Sequence, residues 1–191
     1  MWKFWTALII GTSTFATTPV RAATYDIDLA HSHVAFFIDH VGFSRIIGVV
    51  NDFDGSFNFD AAKPEASSLK ADLKAASIST NNPQRDSDIQ GEKWFNSVRF
   101  PSISFNGKSF KKLTDKSGTI SGDLTIAGVT HDAMLMVTFN KEGDNPWDHT
   151  HVAGFSATAS ILRSDFGLTT FIPLVGDKVD LLFEIEGIQR K

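Results

Sequence analysis

The sequence predicts an all-β domain of about eight antiparallel strands with one short helix, folded as a sandwich or closed into a barrel. Three observations carry this. Beyond residue 22 the chain reads as short segments of alternating apolar and polar residues separated by turn residues. Most connections are too short for a parallel crossover, which needs about a dozen residues. The apolar faces set small residues such as Ala71, Ala75, Ala153, Ala157 and Ala159 among large phenylalanines.

The elements follow in order. A lead strand spans Tyr25 to Leu29, and a second runs from His33 to His40. In that second strand Phe36 and Ile38 share a face, while Ala35 and Phe37 offer an equally apolar alternative. Ile46 to Phe59 reads as one long strand with Val49, Phe53, Phe57 and Phe59 on one side. Gly55 inside it marks a bulge or sharp bend. Leu69 to Ser77 alternates Leu69, Ala71, Leu73 and Ala75 against Lys70, Asp72 and Lys74. Asn82 followed by Pro83 is an N-cap with a first-turn proline, so Asn82 to Phe95 reads as the helix, lying over the barrel or across its mouth. Ser102–Phe110, Thr119–Ile126, Ala133–Asn140, His151–Arg163 and Lys178–Glu186 complete the set. Eight strands can close around an interior that is either filled or holds one small ligand, and the pattern alone leaves both open.

The first 22 residues have the anatomy of a secretory leader: Lys3, an apolar stretch from Phe4 to Ile10, then small residues ending at Ala22. The expected division is a signal peptide over 1–22 and a single domain over 23–191. No later segment is apolar enough to span a bilayer. Loss of Lys3 and Arg21, with no carboxylate, would move the formal charge from −4 to −6. That balance gives no footprint for nucleic acid. With no cysteine there is no disulfide, thiolate chemistry or cysteine metal site. Of 17 phenylalanines, 15 fall after the leader. Phe supplies dry contact area without a polar handle, which suits a thick core or an apolar cavity.

Catalytic patterns are absent: there is no Gly-x-Ser-x-Gly elbow and no phosphate-cradling glycine loop. No catalytic residue, cofactor or metal is assigned. His31 with His33 and His149 with His151 could make a four-nitrogen site only if the two segments met; otherwise they are structural. Arg163 and Asp165, like Arg85 and Asp86, read either as a polar clamp on a ligand head group or as structural pairs, with Asp165 able to reach Arg85 across the mouth.

Taken in order, a set of motifs is recognisable. It includes Tyr25 to Phe36, His40 to Gly42, Ser77 to Thr80, Trp94 with Phe95 and Phe100 to Phe105. It continues through Gly122 to Thr130, Arg163 to Gly167 and Val175 to Val179. Together these resemble the YceI-like family. The resemblance implies an extended, lipocalin-like antiparallel β-barrel with an elongated apolar cavity. It further implies a periplasmic location, a polyisoprenoid or other long-chain amphiphile as ligand, and possible homodimers. It brings no catalytic residues.

Alternation nominates Phe36, Ile38, Phe53, Phe57, Leu73, Phe105, Leu124, Ile126, Phe155, Ile161 and Phe183 as lining such a cavity. Trp94 and Phe95 would close one end, and Arg163 would meet the head group. A twenty-carbon tail gains roughly 16 kcal/mol gross at about 0.8 kcal/mol per buried CH₂, before ordering costs. The expected partner is therefore a polyisoprenoid, an isoprenoid quinone or a fatty amphiphile. The rivals are a lipid-modifying enzyme using His31, Asp165 or Arg163 as acid–base groups, and a structural protein with a solid interior.

Overall fold

The computed structural model describes residues 22–191, so the leader assigned to 1–22 lies outside the described residues but for Ala22. Eleven strands form one sheet: β1 Ala23–Ile27, β2 His33–His40, β3 Ser44–Val50, β4 Phe53–Phe59, β5 Ser68–Lys74, β6 Ile78–Ser79, β7 Ser102–Lys112, β8 Ser117–Ile126, β9 Val129–Asp144, β10 His151–Leu162 and β11 Val175–Gln189. All pairings are antiparallel. The ring β1-β4-β5-β7-β8-β9-β10-β11 closes through a β1–β11 pairing, giving an eight-stranded barrel.

Eight staves account for all eleven strands because three staves are broken. β1 pairs with Gly187–Gln189 of β11, and β2 pairs with the earlier part of that same strand. β1 and β2 are therefore halves of one stave. β3 and β4 form the second, and β5 and β6 the third. Serines stitch the breaks. Ser32 Oγ donates to the Glu186 carbonyl and accepts from the Glu186 N–H at 3.0 Å. Ser77 Oγ accepts from Asp52 N–H at 2.9 Å and donates to the Lys74 carbonyl, while the Ser77 carbonyl accepts from Asn51. The second and third breaks thus face each other and satisfy one another's backbone.

Each break inverts which residues point inward. Tyr25 is buried in β1, but Val34 and Ile38 in β2; Phe53 and Phe57 in β4, but Val50 in β3; Ile78 in β6, after odd-numbered positions in β5. This corrects the reading of Ile46 to Phe59 as one strand. Val49 faces outward and is 39% exposed, while Val50 is buried, because the strand ends at Asn51 and Asp52 and restarts in the opposite phase. Gly55 is not the bend. It pairs regularly with Ala71, and a Cβ there would lie 2.5 Å from the Lys70 carbonyl oxygen, so it serves close strand approach.

Other boundaries shift for local reasons. The lead strand stops at Ile27 because the Asp28 carboxylate accepts from Ala30 N–H and starts a turn. The helix, α1, covers Pro83–Gln90 with the Asn82 side chain accepting from Arg85 N–H. From Gly91 the chain continues in turns rather than helix through Trp94 and Phe95. β10 ends at Leu162, and Arg163–Phe166 forms a 3-10 turn. No helix among the described residues is long and apolar enough to cross a membrane.

Candidate ligand cavity

Whether the barrel is solid depends on where its phenylalanine rings lie. Three inward rings lie over glycines, two of them on the adjacent strand and the third, that of Phe57, across β1 on β11. A Cβ on Gly48 would strike the Phe36 ring, one on Gly187 the Phe57 ring, and one on Gly122 would sit 2.8 Å from Phe105 Cζ. The rings therefore rest against the wall instead of meeting at the axis. Ala71, Ala157 and Ala159 add further small positions. The space kept open is a cavity of about 570 Å³, walled almost wholly by apolar side chains. That is the size range of small-molecule sites.

The nominated residues all reach this cavity. β2 and β4 place Phe36, Ile38, Phe53 and Phe57 on its wall, and β5 and β7 place Leu73 and Phe105. β8 contributes Leu124 and Ile126, β10 Phe155 and Ile161, and β11 Phe183. Register settles the choice in β2: Val34, Phe36 and Ile38 line the cavity and Ala35 and Phe37 do not.

One end is covered by α1 and the turns after it. Trp94 and Phe95 line the cavity there with Ile89 and Phe171. Thr170 Oγ1 donates to the Lys93 carbonyl at 2.5 Å, tying the β10–β11 loop to the chain after the helix. Arg163 also borders the cavity at this end, but its guanidinium is occupied. It donates to the carbonyls of Gly176, Leu168, Thr170 and Val175, and lies 5.1 Å from the Trp94 ring centroid. It is 3% exposed and acts as a structural clamp on the loop after Phe166. The Asp165–Arg85 bridge read from sequence does not form, whereas Arg85 and Asp86 meet at the Thr80 hydroxyl. Arg85 donates to Thr80 Oγ1 and the Thr80 carbonyl, not to Asp165, and Asp177, not Asp165, accepts from Ser164. The Thr80 hydroxyl and N–H hold the Asp86 carboxyl below its ordinary range.

The opposite end was not foreseen. Phe59 and Phe139 come from strands on different sides of the barrel, yet their ring centroids are 5.3 Å apart, and Phe155 packs against both. This aromatic layer narrows the lumen. Outside it the rim is formed by Pro64 and Ser67 of the β4–β5 loop and by Lys111, Lys112, Asp115 and Lys116 of the β7–β8 hairpin. No periodicity marks these loop residues, so alternation could not find them.

The histidines do not assemble a four-nitrogen site. Among the described residues, Asp28, His31 and Glu186 are the group close enough to share an ion. His31 Nδ1 is 2.7 Å from Asp28, whose carboxylate raises the imidazole pKa. His151 lies beside Asp144 and Glu142, with its pKa raised chiefly by the Asp144 contact. Tyr25, fully buried, donates to Glu142 at 2.6 Å, and burial pushes its phenol further above its usual range. Among the described residues no hydrogen bond or ion pair joins His31, Asp165 or Arg163 to one another: His31 bonds Asp28 and Arg163 bonds backbone carbonyls.

Comparison with known proteins agrees with this architecture. The family model described as a YceI-like domain matches residues 25–187. A UPF0312 protein of Pseudomonas savastanoi pv. phaseolicola is 38% identical over 187 residues, covering 97% of this chain and 96% of its own. The crystal structure of a Campylobacter jejuni YceI protein superposes with a TM-score of 0.73 at 30% identity, covering 81% of this chain and 91% of that one. A polyisoprenoid binding domain from Saccharophagus degradans shares the fold at 12% identity and a TM-score of 0.66, covering 89% of this chain and 100% of that one.

Proposed function

The chain belongs to the YceI-like family, and from that premise we propose that it is a periplasmic binding protein that holds a polyisoprenoid, an isoprenoid quinone or a fatty amphiphile in its barrel and carries it between membranes. One observation carries the reading: an apolar cavity of about 570 Å³ runs through the barrel, walled by rings that rest over glycines. A water-filled apolar space of this size is costly, and an apolar tail removes that cost at about 25 cal/mol per Å² of surface. The polyisoprenoid-binding description of a structural relative supports the ligand class. The leader anatomy at the N-terminus supports export. Binding fits the site, since Arg85 and Arg163 at its helix-covered end donate to the protein's own backbone carbonyls.

Native mass spectrometry tests the proposal. Protein exported by a Gram-negative host and gently purified is expected to carry a long-chain adduct that denaturation releases. Recovery of ligand-free protein that also fails to take up added isoprenoids would overturn it.

A further inference from the structure

Building on the carrier reading, we infer that the helix-covered end of the barrel docks on a bilayer surface. Val41 and Phe43 of the β2–β3 turn and Phe171 and Leu174 of the β10–β11 loop are the side chains that enter its apolar layer. Phe43 is 89% exposed, and the other three lie between 44% and 65%. The fold brings them together. Val41 N–H donates to the Leu174 carbonyl at 2.8 Å, Val175 N–H to the Phe171 carbonyl at 2.9 Å, and Val175 pairs with His40 in register. Arg163 fixes the platform beneath them by holding the carbonyls of Thr170, Val175 and Gly176. Val41 and Phe171 both adopt left-handed backbone, at φ 57° and 64°, which is costly for a β-branched or bulky residue. Strain of that kind clusters at functional sites.

The chemistry of these turns suits lipid. Neither 41–44 nor 169–176 contains an ionisable side chain, although exposed turns are ordinarily polar. The flanking carboxylates are bonded to the protein: Asp39 accepts from Gly42 N–H, and Asp177 accepts from Ser164. Arg45 stacks on Phe37 and pairs with Asp180 along the outer wall, and Glu92 and Lys93 in the turn after α1 offset each other. At about 200 Å² per aromatic side chain, the four residues present roughly 500 Å² of apolar surface. That falls short of the about 800 Å² per partner buried by a stable protein pair. A fluid bilayer needs no matching shape and accepts apolar side chains on convex turn tips.

The cavity reaches the surface at the same end. Phe171 borders the cavity and is exposed, while His40, Trp94 and Val175 border it beside the turn tips. The Phe171 and Trp94 rings lie 6.3 Å apart. At the opposite end the lumen is narrowed by the Phe59–Phe139 layer. A tail that leaves a bilayer between the docked turns therefore passes along apolar side chains into the barrel.

Vesicle flotation of the exported protein tests the docking surface. The protein is expected to float with neutral phosphatidylcholine vesicles, equally at low and high salt. Phe43 and Leu174 lie outside the cavity wall. The double variant Phe43→Ser with Leu174→Ser should therefore keep its melting temperature and its affinity for dispersed farnesol, while its partition onto vesicles falls about tenfold or more. A wild type that binds farnesol but does not float would overturn docking and leave the carrier reading standing; flotation without farnesol uptake would do the reverse. Undiminished flotation of the double variant would overturn the assignment of these turns. Binding that requires phosphatidylglycerol and vanishes in salt would make the contact electrostatic and overturn it too. So would a dimer, seen by sedimentation, that the double variant dissociates, because a second copy would then be the occupant.

Discussion

Arg163 shows how a single side chain fixes one end of the barrel. Its guanidinium binds four backbone carbonyls of the loop that leads into β11, and Trp94 packs against it. Replacing it by Met should cost about 3 kcal/mol or more, because buried carbonyls lose their donors. Lys should not rescue it, having no planar fork; urea unfolding of the three proteins would check this. His151 makes a prediction about pH. Its pKa is raised by Asp144, so its contribution is fully present below the ordinary histidine value of about 6.5 and is lost as pH rises through the raised value. The melting temperature of the wild type relative to His151→Gln should therefore fall as pH increases across that window. A difference that grows with pH would contradict the assignment. Ser67 belongs to the same scale. Nothing in its local sequence, a serine after a proline-led 3-10 turn, marks it as a buried unpaired group; only the fold around it does.

Among the elements, the broken staves separate what could be read from what could not. The β2, β7, β8, β10 and β11 segments were legible because alternation is local, and so was the Asn82–Pro83 helix start; the strand read over Leu69 to Ser77 instead ends at Lys74, where Ala75–Ser77 turns as a 3-10 helix into β6. The phase inversion at Asn51 and Asp52 was not. Its cause is Ser77, 25 residues away, whose hydroxyl and carbonyl satisfy the interrupted backbone. Ser77→Ala should therefore lower stability by about 1–2 kcal/mol, with protection of the Asp52 amide lost first in hydrogen exchange. The ring-over-glycine pairs belong here as well. In Gly48→Val the added side chain must displace the Phe36 ring from the wall. The expected result is about 1–3 kcal/mol of destabilisation from overpacking together with reduced uptake of long-chain probes. Undiminished uptake would show that the ring has another place to go.

For the whole molecule, closure makes the cavity. β11 is long enough to pair with both halves of the first stave; its pairing with β1 closes the eight-stranded ring, while the run through β2 and β3 ends at β6, which is paired on one side. The lumen then has finite length, which yields a quantitative expectation. In a series of fatty alcohols, affinity should rise by up to about 0.8 kcal/mol per CH₂ and level off once the tail fills the space between the Phe59–Phe139 layer and Trp94. Displacement of a fluorescent lipid would measure it. Affinity independent of tail length would place binding on the surface instead.

The order of the strands' apolar faces, the helix start and the family motifs were determined by the sequence itself, since each depends on neighbours within a few residues. Fourteen residues nominated by alternation and resemblance do border one cavity. The interior volume left unfilled by side chains, the commitment of Arg163 to backbone and the lysine-rimmed end were decided by tertiary structure. Each depends on which residues face one another across strands distant in the chain, and alternation, with a period of two, carries no information about that.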